Sequence, residues 1–163
     1  MNLIISKTDR LAKVIIVDMI VLAMICLVPA LSHAFAFPLY KFNPMLLCLL
    51  AGMVFVNDRR NAYMLAFLLP VVSMLVSGMP TPLKALCMVA EFEAFVAIFY
   101  IIEKRMPVFL AVVLAAVAGK IIFYLLEALI IAPAVLIGTN IWLQLCVILV
   151  YAIAFSLLVV RRY

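Results

Sequence analysis

The chain has 163 residues, of which 72% are hydrophobic and 12% charged, and its mean hydropathy is +1.43. A soluble domain is roughly 45–50% apolar and about 25% charged, so one water-facing core could not absorb this apolar surplus and lipid is the expected solvent. A cytosolic enzyme, a disulfide scaffold, a disordered tail and a nucleic-acid-binding domain are thereby excluded; the net charge of +5 reads as basic residues gathered on one side of a membrane.

A helical span needs about 17–25 apolar residues. After a basic start carrying Lys7, Arg10 and Lys13, the first predicted span runs from Val14 to about Phe37. This segment, with Ala34-Phe35-Ala36 at its end, also resembles a signal peptide and its cleavage site. Its apolar run is longer than a usual signal core, so a retained span is expected. The second span, Pro44–Val56, is short and leads into the polar turn Asn57-Asp58-Arg59-Arg60-Asn61. The third runs from Ala62 to about Ser77 and stops at Gly78-Met79-Pro80-Thr81-Pro82. The fourth, Leu83–Ile102, is closed by Glu103-Lys104-Arg105. The fifth begins at Pro107, where a missing N–H costs little, and continues to about Ile137. The turn Gly138-Thr139-Asn140 separates it from the sixth, Ile141–Val160, and Arg161 and Arg162 follow.

The prediction is an all-α, polytopic membrane protein, a six-helix bundle forming one transmembrane domain over residues 1–163. The short second and third helices are expected to be tilted, broken or covered by neighbouring protein. Continuous apolar runs without alternation argue against a β-barrel. Lys7, Arg10, Lys13, Arg59, Arg60, Lys104, Arg105, Arg161 and Arg162 all fall on one side, and only Lys41 and Lys84 on the other. The positive-inside rule then gives an N-in/C-in protein of the cell (inner) membrane with both termini cytoplasmic.

Cys26, Cys48, Cys87 and Cys146 each stand among apolar residues with no paired spacing, so they read as small hydrophobes. His33 is the single histidine, which excludes a multi-histidine metal or haem site. No catalytic motif, phosphate loop or ATP site is present. The chain is expected to be no enzyme and to carry no cofactor of its own.

Ionisable residues inside a span cost about 2.5–3.5 kcal/mol on insertion scales and call for a reason. Glu91, Glu93, Lys120 and Glu127 fall in the middle or outer half of the membrane, whereas Asp18 lies near the cytoplasmic end of the first helix and reads as solvated. Lys120, Tyr124 and Glu127 are spaced to share a face of the fifth helix, and Lys84, Met88 and Glu91 share one on the fourth. Glu91 and Glu93 point apart. Two readings stand side by side: these residues line a ligand site, or Glu91 and Lys120 form an ion pair tying two helices together.

The outer segment from Ser32 to Pro44 contains His33, four aromatics, Asn43 and two prolines. It reads either as an interfacial aromatic belt or, with the Gly78–Pro82 loop, as a cover over an outward-facing pocket for a planar ligand. Ala111, Ala115 and Gly119 on the fifth helix, and Ala30 and Ala34 on the first, form small-xxx-small stripes that suit close helix contact or docking.

The run Phe42-Asn43-Pro44-Met45-Leu46-Leu47-Cys48-Leu49-Leu50-Ala51-Gly52, then Asn57-Asp58-Arg59-Arg60, Leu68-Leu69-Pro70 and Ser77-Gly78 resembles the S component of energy-coupling factor (ECF) transporters, in a putative-transport branch. The likeness covers residues 42–80 and, through the helix count, extends loosely to the whole chain. It implies a vitamin- or micronutrient-binding subunit that takes a small-molecule substrate near the outer surface. Such subunits dock on a transmembrane coupling protein driven by two ATPase subunits, which use the ATP, and topple in the membrane to release substrate. The family's Ala-x-x-x-Ala docking pattern is matched by Ala30 and Ala34. A second resemblance, in size and helix number, is to the MreD family of cell-shape scaffolds, which implies a cytoplasmic contact surface of Arg59, Arg60, Lys104 and Arg105 and no pocket.

Overall fold

Helix boundaries fall where the sequence supplies a cap or a proline. In the computed structural model, which describes residues 2–130 and 141–160, six α-helices follow one another: α1 (Asn2–Ala34), α2 (Pro44–Val56), α3 (Arg59–Ser77), α4 (Pro82–Ile102), α5 (Val108–Ile130) and α6 (Ile141–Val160). A short 3-10 turn, Leu39–Phe42, precedes α2. Asn43 takes a left-handed conformation and caps α2, its side-chain oxygen accepting from the Leu46 N–H at 3.4 Å. Asp58 caps α3 by accepting from the Arg60 N–H at 2.9 Å. Gly78 closes α3 with φ of 70°, a left-handed conformation that glycine adopts without a side-chain clash. Ser73 and Ser77 then both donate to the Met79 carbonyl, each at 2.9 Å, and hold the next turn against the helix end.

The all-helical bundle matches the expectation, with five helices long and apolar enough to cross a membrane and a sixth, α2, of only 13 residues. Three boundaries differ by more than one residue. α1 starts at Asn2, so the basic start is helical, and its 33 residues reach about 50 Å. It ends at Ala34 instead of Phe37. α3 begins at Arg59 because the Asp58 cap draws Arg59, Arg60 and Asn61 out of the expected turn. The expected continuation of α5 to Ile137, the turn Gly138-Thr139-Asn140 and Arg161 and Arg162 lie outside the described residues.

Chain-adjacent helices run antiparallel, which gives the bundle two ends. The Asn43 end carries the connections Phe35–Asn43 and Gly78–Thr81. The Lys104 end carries Asn57–Asp58 and Glu103–Pro107. Contacts pass from α2 to α3, α3 to α4, α4 to α5, α5 to α6 and from α6 back to α2, closing a ring; α1 lies outside it, against α2 and α3. Leu49, Leu65, Leu69, Phe92, Phe95, Val96 and Val112 are fully buried inside. Phe95 stacks on Phe99, which meets the edge of Phe155 on α6. α1 turns Val21 and Ile25 inward and leaves Ile15, Met19, Ile20, Met24 and Leu27 outward, a face suited to lipid.

Polar contacts reinforce the ring. Tyr151 of α6 donates to the Phe42 carbonyl at 2.6 Å, anchoring the start of α2. Asp18 of α1 accepts from the buried Asn61 of α3 at 2.9 Å. That bond clamps α1 to α3, while Asp18 itself stays partly exposed.

Candidate functional site

The α4–α5 interface holds the buried charges. Lys120 Nζ lies 2.7 Å from Glu91 Oε1, and Lys84 Nζ lies 3.0 Å from Glu127 Oε1. Because the helices are antiparallel, Lys84 near the start of α4 meets Glu127 near the end of α5. Seven residues inward on each helix, Glu91 meets Lys120. The two pairs thus form consecutive rungs on one face, seven residues being two helical turns. The carboxylates are 97% and 96% buried by side chain in turn for Glu127 and Glu91, being 3% and 4% exposed, whereas Lys120 is 16% and Lys84 43% exposed. Between the rungs lies the buried Phe123, whose ring centre is 5.0 Å from Lys120 Nζ and 5.8 Å from Lys84 Nζ, within cation–π range.

The close approach depends on small residues. Ala111 and Ala115 are fully buried and Gly119 is buried on the inward face of α5. A Cβ added to Gly119 would sit 2.9 Å from the Glu91 carbonyl oxygen and 3.6 Å from Phe95 Cβ. These three positions serve packing inside the bundle, which corrects their reading as a surface for a partner. Ala30 and Ala34 are exposed and remain available.

Among the described residues three buried polar atoms lack a hydrogen-bond partner, Ser32 Oγ, Asn43 Nδ2 and Glu91 Oε2, and only the last belongs to the pairs. A carboxylate oxygen away from water normally accepts a hydrogen bond. Glu91 Oε2 is therefore a buried acceptor whose hydrogen-bonding capacity no side chain or backbone group of the described residues uses.

The remaining sequence candidates separate. Tyr124 donates to Gln144 of α6 at 2.7 Å, so it faces the α5–α6 seam while Lys120 and Glu127 face α4; spacings of four from Lys120 and three from Glu127 place it a little around the helix from each. Met88 is half-buried and packs on the core. His33 is exposed in the last turn of α1, and Asn43 serves α2 as its cap. Among the described residues neither hydrogen-bonds to the four paired charges. Glu93 faces elsewhere, lining a shallow hollow with Tyr63 and Phe67, as expected from its angular separation from Glu91.

Sequence reasoning missed Gln144 and Asn61. Gln144 is uncharged and surrounded by Leu143 and Leu145, so its only signal is that amides are rare in an apolar run. Asn61 looked like part of a turn. The pairing of Lys84 with Glu127 was within reach of sequence, since the offset of seven on both helices matches.

Comparison with protein-family models, with curated proteins and with solved structures finds no match to this chain.

Proposed function

We propose that this chain is the membrane-embedded, substrate-binding subunit of an ECF-type vitamin or micronutrient importer. It lies in the bacterial inner membrane with both termini cytoplasmic, and the Asn43 end faces outward. The observation that carries the reading is Glu91: a buried carboxylate with one oxygen on Lys120 and the other without a partner. A ligand N–H or O–H would complete it. Lys120 and the ring of Phe123 lie beside it, the Lys84–Glu127 pair forms the next rung outward and Met88 flanks the same face of α4, whereas Tyr124, on the α5–α6 seam, would reach a ligand only from the side. His33 and Asn43 belong to the outer segment that would cover the site. A transmembrane coupling protein with two ATPases would supply the energy, since the sequence has no ATP-binding motif.

Mass spectrometry of small molecules extracted from the purified protein tests the reading. One compound should co-purify near stoichiometrically with the wild type and be depleted in Glu91→Gln. The double variant Glu91→Leu/Lys120→Met should also lose it while remaining folded, because replacing a buried ion pair by apolar side chains of similar size is often neutral or stabilising. No retained compound, or one retained equally by both variants, overturns the proposal. In liposomes the chain alone should bind but not concentrate that compound; uphill uptake without ATPases would refute the subunit role.

A scaffold of the MreD type is favoured by a different observation. Arg60, Lys104 and Arg105 are exposed together with Arg59 at one end, and the rungs on α4 and α5 pair with each other. On that reading no ligand is retained, and Glu91→Gln lowers stability alone.

A further inference from the structure

At the Lys104 end, away from the paired charges, a cavity of about 560 Å³ opens between α2, α4, α5 and α6. Its floor is apolar, formed by Met53, Phe99, Phe155 and Val159, and its rim is polar, with Asn57, Tyr100, Glu103 and Lys104. Binding sites for small molecules measure about 300–1,000 Å³, so the space is large enough for a specific guest. Beside the rim, the Arg59 guanidinium lies 5.5 Å from the centre of the Tyr100 ring and 5.7 Å from that of Tyr63. This double stack holds an arginine in place at the mouth.

We infer that this cavity binds one anionic glycerophospholipid, with an acyl chain on the Phe99–Phe155–Val159 floor and the phosphate between Lys104 and Arg59. The charge balance favours an anion. Arg59, Arg60, Lys104 and Arg105 cluster at this end, and among the described residues none of them forms an ion pair within 4.0 Å. Of the acids at this end, exposed Asp9 lies on α1 outside the ring and Asp58 is engaged by Arg10 at 3.2 Å. Glu103 is the remaining acid facing the mouth, and burial pushes its carboxyl upward despite Lys104 and Arg59. Basic pockets between membrane helices on the cytoplasmic side recognise anionic headgroups. A free phosphate would use the rim but leave the apolar floor uncovered; a lipid uses both. Assigning the site to the cytoplasmic leaflet rests on the orientation proposed above, whereas headgroup selectivity in detergent does not.

The test is native mass spectrometry of the full chain in detergent, titrated with phosphatidylglycerol and phosphatidylcholine of identical acyl chains. One phosphatidylglycerol should be retained in preference, and Lys104→Gln should weaken it about fivefold, the worth of one basic residue near an anionic surface. Lys41→Gln, at the opposite end, should leave it unchanged. Val159→Trp, which fills the floor, should abolish retention of both lipids. Glycerol 3-phosphate and inorganic phosphate, added as competitors, should displace nothing. Equal retention of the two lipids, or an unchanged Lys104→Gln, overturns the inference. Displacement by inorganic phosphate would make this a phosphate site and also overturn it. If Val159→Trp does not fold, the headgroup competition on the wild type still decides. The transporter reading stands or falls separately, on the compound lost in Glu91→Gln.

Discussion

Gly119→Ala isolates the contact on which both rungs depend. Two opposing effects must be weighed. Alanine is the better helix former by about 0.8–1.0 kcal/mol, so a glycine free of neighbours would gain stability on substitution. Here the new Cβ would stand 2.9 Å from the Glu91 carbonyl oxygen, with Glu91 Cγ at 3.5 Å and Phe95 Cβ at 3.6 Å. The nearest atom is helix backbone and cannot rotate away, so α4 and α5 must part by several tenths of an ångström. Overpacking of this kind costs about 1–3 kcal/mol, and Lys120, the next residue, carries its ammonium away from Glu91 as the helices separate. The expected net effect is a loss of about 0–2 kcal/mol, found by combining the overpacking cost with the propensity gain. Gly52→Ala is the internal control: its Cβ would collide with the tip of the Leu65 side chain, which can change rotamer, so its loss should be smaller. Reversible unfolding in mixed micelles measures both. A Gly119→Ala protein more stable than wild type would refute the reasoning, as would a larger loss for Gly52→Ala.

Further outcomes are expected. In a background without Cys26, Cys48, Cys87 and Cys146, a cysteine at Lys41 should react with an impermeant thiol reagent in intact cells and one at Lys104 should not; the reverse pattern overturns the orientation. Tyr151→Phe should cost about 1–3 kcal/mol because the Phe42 carbonyl loses its donor, and Ser156→Ala, whose hydroxyl bonds within its own helix turn, should cost less. Glu103 gives a pH signature: its carboxyl is raised in the folded chain, so its contribution favours folding below the ordinary glutamate range and is lost as pH rises through the raised value. Melting curves between about pH 4 and pH 7 should therefore fall more with pH for the wild type than for Glu103→Gln, and parallel curves would contradict this.

The number and order of helices could be read directly, because apolar runs bounded by Asn-Asp, Gly-Met-Pro and Glu-Lys-Arg leave few alternatives in lipid. Boundaries were less legible. The Asp58 cap converts three residues of a polar turn into helix, and nothing in a hydropathy pattern distinguishes a capped start from a loop. Glu91 and Lys120 could be paired from depth and face alone, since each needs an opposite charge. Their partners' precise use could not be read: whether Ala111, Ala115 and Gly119 face a neighbour within the chain or outside it depends on which side of α5 meets α4. Tyr124 shows the same gap, for a residue four positions along can cross from one seam to the next. The cavity at the Lys104 end was invisible, as its walls come from helices far apart in sequence.

The position of α1 outside the ring bears on how the chain is made. α1, α2 and α3 touch one another, so these three can form a compact trio through contacts near in sequence, which close quickly. The α4–α5 hairpin can follow on the flank of α3. α2 then waits, with the face destined for α6 turned to lipid and the Phe42 carbonyl without its hydroxyl, until α6 arrives. Until α6 docks on α2, helices α2 to α5 can form only an open horseshoe, not a ring.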